Sequence, residues 1–69
     1  MKAARLDTSA RLQRVDSLLA SGGEYTTLEI ISHCGVCAVN SIIAELRANG
    51  RNIRCRREGK AWYYKRLNT

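Results

Sequence analysis

The chain has 69 residues, with no proline, no phenylalanine and only one histidine. That histidine, His33, has no serine, aspartate or cysteine at a spacing typical of nucleophilic catalysis. A chain of this length builds a core only one layer deep, in which a catalytic cleft is difficult to form. We therefore expect a binding module and not an enzyme, with no catalytic residue and no cofactor.

Long apolar segments are also missing. No run reaches the roughly 18 apolar residues that a membrane span needs, and residues 1–7 lack the apolar core of a signal peptide. The sequence thus predicts no membrane partner and a cytoplasmic, nucleoid-associated location, where the three cysteines stay reduced. Without an internal repeat or linker, we expect one domain over residues 8–69, preceded by a flexible arm over residues 1–7.

The cysteines allow two interpretations. Cys34 and Cys37 have the C-x-x-C spacing of half a zinc site, which Cys55 and His33 would complete. However, Cys34 falls on the apolar stripe of a helix and Cys55 on the inward face of a strand, where a free cysteine packs as a small hydrophobic residue. Core packing is favoured, and no metal site is predicted.

Acidic residues are scarce, and the positive charge is concentrated near the C-terminus. The chain has 12 Lys and Arg against 6 Asp and Glu, a formal charge of +6. Residues 1–46 contain four basic and five acidic residues, whereas residues 47–69 contain eight basic and one acidic. A localised basic surface attracts polyanions. A solvated basic tail is the alternative, but the basic residues alternate with apolar ones, which favours a folded strand.

Three segments carry apolar residues at helical spacing. The first begins at a cap, Thr8 or Ser9, and ends before the glycines at 22 and 23; the second begins at the capping box of Thr26 and Glu29 and ends at Gly35. The third covers about residues 37–49. The predicted core positions are Leu12, Val15 and Leu19 in the first helix, Leu28, Ile31 and Cys34 with Ile30 beside them in the second, and Val39, Ile42, Ile43 and Leu46 in the third.

The period then changes to that of strands. Ile53 and Cys55 point one way and Arg54 and Arg56 the other, a tight turn follows at residues 58–60, and residues 61–67 are rich in strand formers. We expect a β-hairpin over about residues 52–66, here called the wing. Three consecutive aromatic residues, 62–64, cannot all face inward. Residues 24 and 25 are expected to form a bridge to the second helix, as a short strand.

The order of these elements predicts a mainly α domain with a β-hairpin, a three-helix winged helix-turn-helix. Gly35 supplies the small residue at the bend between the paired helices, and Val36 supplies the apolar residue that locks their crossing. Ile42 has two possible roles, as a core residue or as an exposed contact with a thymine methyl group or a partner.

Residues 26–67 resemble the winged helix-turn-helix domains of small phage and prophage proteins. The resemblance is carried by the segments TTLEI, GV and IAELRANGRNIRCRR and by the aromatic strand that follows. It implies a double-stranded DNA-binding protein that acts as a phage or prophage regulatory factor, in transcription regulation, excision or replication. A weaker likeness to readers of Z-form DNA rests on Asn40 and Trp62, although the tyrosine expected one turn after Asn40 is Ala44.

In this arrangement the third helix enters the major groove and the wing lies on the phosphate backbone, so that the two make one continuous cationic face. Asn40 is expected to form a bidentate pair with an adenine edge. Because one protomer offers few base contacts, specific binding is expected to need a homodimer or a partner protein. The predicted DNA-binding residues are Ala38, Asn40, Ser41, Arg47, Arg51, Arg54, Arg56, Arg57 and Lys60.

Two other functions remain open on the sequence. A protein-interaction winged helix that binds a host or phage regulator would be favoured by an exposed Ile42. Binding of single-stranded DNA or RNA would use the aromatic residues of the last strand to stack on unpaired bases.

Overall fold

The computed structural model describes Arg5 and residues 9–67, so the predicted arm, Arg5 excepted, lies outside the described residues. Three helices and a three-stranded antiparallel sheet make a small α+β domain. The elements in chain order are α1 (Ala10–Leu19), β1 (Glu24–Thr26), α2 (Thr27–Cys34), α3 (Val39–Ala48), β2 (Ile53–Glu58) and β3 (Ala61–Arg66).

The helices begin and end largely where their capping residues predict. The Ser9 hydroxyl accepts a hydrogen bond from the Leu12 N–H, and Thr26 and Glu29 form the complete capping box at the start of α2. Gly35 ends α2 in the left-handed conformation, with φ of 65°. By contrast, α3 begins without a side-chain cap, because Ala38 stands at that position.

The core is a single layer between the helices and the sheet. The predicted positions of α1 and α3 are all buried, including Ile42 at 2% exposure, which assigns this residue to the core. The prediction for α2 was partly wrong. Its buried residues are Ile30 and Cys34, whereas Leu28 is 77% exposed, because the short helix turns only one narrow stripe towards α1.

The sheet has the strand order β1-β3-β2, so the short strand before α2 extends the hairpin to three strands. Tyr64 lies in the central strand between Tyr25 and Cys55, and Tyr63 lies between Thr26 and Arg56. The prediction that Cys55 packs in the core is wrong: only Ile53 of β2 is buried, since the strand leaves the core after its first residue.

Helices α2 and α3 are joined by residues 35–38 and cross at 85°, and Val36 of this connection is buried. No described helix is by itself long and apolar enough to cross a membrane. Only α2 and α3 taken together, across this bend, satisfy the length and composition criteria.

Candidate nucleic-acid interface

One side of α3 is covered with small and polar residues. Four apolar residues turn into the core, and the rotation of about 100° per residue brings the others to the surface. The exposed residues of α3 are Asn40, Ser41, Ala44, Arg47 and Ala48. Ala38, just before the helix, is exposed as well. The helix backbone is therefore accessible to a close-fitting ligand surface.

The sheet holds one of these exposed side chains. The Tyr64 hydroxyl donates a hydrogen bond of 3.1 Å to Oδ1 of Asn40. Tyr64 is 4% exposed, and its hydroxyl reaches from the central strand to the first turn of α3. This hydrogen bond directs the Asn40 amide oxygen towards the sheet.

Arg47 fixes the other end of α3 to the wing. Its Nε and one terminal nitrogen donate hydrogen bonds of 3.2 and 2.7 Å to the Ile53 carbonyl. No acidic side chain among the described residues pairs with it, so its charge is available to a ligand. Between helix and wing runs a groove of about 320 Å³, lined by Asn40, Ile43, Arg47, Cys55, Trp62 and Tyr64.

The wing arginines do not form the single continuous face that the sequence predicts. The strand register puts Arg57 opposite Trp62, on the sheet face of Tyr64 and α3. Arg54 and Arg56 alternate with it and therefore lie on the opposite face. The expectation of one continuous cationic face is therefore wrong. Successive side chains of a strand point to opposite faces of the sheet, so Arg54 and Arg56 cannot share a face with Arg57.

Residues 57–62 form the wing tip, where only two strands continue because β1 pairs with residues 63–65 alone. Arg57 lies over the Trp62 ring, 6.0 Å from its centroid, and its Nε donates to the Gly59 carbonyl. Within residues 9–67 neither Arg57 nor Lys60 forms an ion pair. The wing tip therefore combines two available cations with one exposed aromatic ring.

Arg56, in contrast, is fully engaged within the protein. Its guanidinium binds Glu24 at 2.7 and 2.9 Å and Glu58 at 2.7 Å, and it stacks on Tyr63 at 4.5 Å. The hydrogen bond from Arg56 holds the pKa of Glu24 below its usual value. Arg54 forms no ion pair with any described residue, but it faces away from α3.

Arg51 also serves the fold. Its Nε lies 2.8 Å from the Asp16 carboxylate, which Arg66 approaches to 3.4 Å. Asp16 thereby links α1 to the segment after α3 and to the end of β3. Of the predicted DNA-binding residues, the structure brings together Ala38, Asn40, Ser41, Arg47 and Arg57 on or beside the α3 side, and separates Arg51, Arg54 and Arg56 from them. Lys60 lies in the turn at the wing tip, where it lines a groove with Leu28 and Trp62.

Two arginines of α1 border α3 on its other side and were missed by sequence reasoning. Arg11 pairs with Glu45 at 3.1 Å and so neutralises the acidic residue of α3, and Arg14 donates to the Cys34 carbonyl at 2.9 Å. Both line a groove with residues 35–38 and Ser41. Their outward positions on α1 are visible in its periodicity, but the closeness of α3 depends on the tertiary fold.

The cysteine and histidine side chains do not converge. Among the described residues, no three side chains of His, Cys, Asp or Glu are grouped so that they could hold a metal ion. Cys34 is buried, as predicted, and burial raises the pKa of its thiol. His33 lies at the surface, edge-on to Tyr25.

No protein-family model, no curated protein and no solved structure matches this chain.

Proposed function

We propose that the chain is a double-stranded DNA-binding protein of the winged helix-turn-helix type, acting as a phage or prophage regulatory factor. In this proposal α3 lies in the major groove and the wing tip lies on the adjacent phosphate backbone. The crossing of α2 and α3 at 85° through a four-residue connection supports it, since it is close to the angle of about 90–120° and the three- to four-residue turn of DNA-binding helix pairs. The regulatory setting follows from the family resemblance.

The observation that carries the proposal is the composition of the exposed side of α3. It presents small side chains, and Glu45, its one acidic residue, is neutralised by Arg11. Arg47 and Arg57 border it on the wing side and Arg14 on the α1 side, without an acidic partner in the described part of the chain. Such a surface offers close approach to base edges between two rows of phosphate-binding cations.

The residues divide between two tasks. Ala38, Asn40 and Ser41 are proposed to read base edges, because they are exposed near the start of α3. Arg14, Arg47, Arg57 and Lys60 are proposed to bind phosphates, which gives affinity without sequence preference. With so few base-reading residues in one protomer, we propose that specific sites are bound by a homodimer or with a partner protein.

Fluorescence anisotropy with labelled random-sequence oligonucleotides tests the proposal. Four phosphate contacts predict that affinity for duplex DNA falls about 100-fold between about 50 and 200 mM salt. Single-stranded DNA and RNA of the same length are expected to bind more weakly at both concentrations. Binding of either single strand as tightly as duplex, or duplex binding that salt does not weaken, contradicts the assignment.

A second candidate function is the binding of a host or phage regulator protein. Its original support, an exposed Ile42, is lost, but Leu28 and Trp62 are the two large hydrophobic residues exposed among those described, and both line one groove. Exposed apolar residues in one groove are typical of protein contacts. If the chain binds a regulator protein, Leu28→Ser is expected to abolish binding to the purified regulator and Arg57→Ala is not. If the chain binds DNA, Arg57→Ala is expected to weaken duplex binding more than Leu28→Ser does.

A further inference from the structure

Asn40 is an exposed residue of α3 whose side chain is hydrogen-bonded by another element. Its Oδ1 accepts a 3.1 Å hydrogen bond from the hydroxyl of Tyr64, a residue that is only 4% exposed. The backbone of Tyr64 is fixed from both sides, since β3 pairs with β1 opposite Tyr25 and with β2 opposite Cys55. The phenol is therefore a rigid support for the Asn40 amide, and a buried tyrosine hydroxyl needs such a partner.

The chemistry of the amide group gives this contact a consequence. The carbonyl oxygen and the NH₂ group point along different branches of one plane, so an oxygen directed at Tyr64 turns the NH₂ group away from it. The NH₂ group can only donate hydrogen bonds. In a DNA complex the group that Asn40 presents is then a donor, which matches base edges that carry acceptors.

We propose that Tyr64 is a positioning residue that makes Asn40 read guanine, an inference that rests on the proposed DNA-binding function. Guanine presents two adjacent acceptors, N7 and O6, in the major groove, whereas thymine presents the single acceptor O4 beside its methyl group, adenine presents N7 beside a donor, and cytosine presents a donor. The adenine pair expected from sequence requires both amide atoms to face the base. Tyr64 withdraws one of them.

Selection of binding sites from a random duplex library tests the proposal on DNA. The natural protein is expected to select guanine over adenine at one position by about fivefold or more. Tyr64→Phe keeps the ring in the core but frees the amide, so this variant is expected to lose the guanine preference and accept adenine. Its affinity for unselected duplex should stay within about twofold, because phosphate contacts supply that affinity. Unchanged selection of guanine by Tyr64→Phe contradicts the proposal.

Asn40→Asp is the matched variant at the other end of the hydrogen bond. It keeps an acceptor for the Tyr64 hydroxyl and replaces the donor by a second acceptor. The selected base is expected to change from guanine to cytosine, whose amino group is a donor. Continued selection of guanine by Asn40→Asp would refute the reading role, and this variant remains informative if Tyr64→Phe fails to fold.

The free protein provides a test that does not depend on DNA. The side-chain amide of Asn40 is followed by NMR relaxation in the natural protein and in Tyr64→Phe, with the Asn52 amide as an internal reference. The Asn40 order parameter is expected to be high in the natural protein and to fall in the variant, while that of Asn52 stays the same. Equal order in both proteins overturns the positioning role even if DNA is bound. Absence of duplex binding overturns the proposed function instead.

Discussion

The three cysteines differ in their surroundings more than in their sequence context. Cys34 is buried at the end of α2, where loss of solvation raises the pKa of its thiol. Cys37 and Cys55 are exposed, one before α3 and the other in the groove between α3 and the wing. Since the thiolate is the reactive form, the two exposed thiols should react faster with a thiol reagent than the buried thiol of Cys34.

With an aromatic disulfide reagent at neutral pH, we expect two thiols to react rapidly in the native protein and the third to react only as the protein unfolds. Cys34→Ala should remove the slow phase and leave both rapid ones. Rapid reaction of all three native thiols would show that Cys34 is not protected, and slow reaction of Cys55 would show that the groove is closed.

Cys55 and Leu28 show which residue properties the sequence can predict. The period of two correctly assigned Cys55 to the same side of the strand as Ile53. It could not predict burial, because burial depends on how far the helices extend over the sheet. The prediction that Leu28 is buried was wrong for the same reason. Its helical spacing is regular, but no neighbouring element covers it.

At the scale of elements, α2 depends on its first turn. It has eight residues, too few for a helix that is stable alone, and its capping box satisfies two backbone groups. The Thr26 N–H donates to the Glu29 carboxylate at 2.8 Å, and this hydrogen bond lowers the pKa of Glu29 below its ordinary value of 4.5. The folded state therefore favours the ionised form of Glu29.

A lowered pKa in the folded state means that stabilisation is present above pH 4.5 and is lost as the pH falls through the folded-state pKa. The free energy of unfolding of the natural protein is thus expected to decrease in this acidic range. Glu29→Gln keeps an acceptor for Thr26 but does not titrate, so its acid dependence should be flatter. Urea unfolding at a series of pH values from neutral to acidic measures the free energy of unfolding of the natural protein and of Glu29→Gln. If this free energy depends on pH equally in the two proteins, the account is contradicted.

Capping residues, glycines and strand periodicity predicted the helix ends and the hairpin. They could not predict contacts between residues that are distant in the sequence. Caps and glycine bends act within a few residues, and Thr26, Glu29 and Gly35 were assigned correctly. The hydrogen bond from Tyr64 to Asn40 joins residues 24 positions apart. The sequence shows that residues 62–64 cannot all face inward, but not which residue of α3 the Tyr64 hydroxyl would contact.

On the scale of the whole molecule, the sheet and the ion pairs determine which basic residues of the C-terminal third are available to a ligand. Arg56 is engaged with Glu24 and Glu58, and Arg51 with Asp16. Composition predicted an excess of cations in this part of the chain. It did not predict which of them remain available beside α3, because that depends on strand register and on acidic partners from other elements.

Arg57 and Arg54 are a matched pair for the central claim that the α3 side of the wing binds DNA. Both are exposed arginines of β2 outside any ion pair with the described residues, and they lie on opposite sheet faces. The measurement is the slope of the logarithm of duplex affinity against the logarithm of salt concentration, for the natural protein and for Arg57→Ala and Arg54→Ala. Loss of one phosphate contact predicts that Arg57→Ala reduces the slope by about 0.9, while Arg54→Ala leaves it nearly unchanged. Equal reductions, or a larger one for Arg54→Ala, would contradict the account.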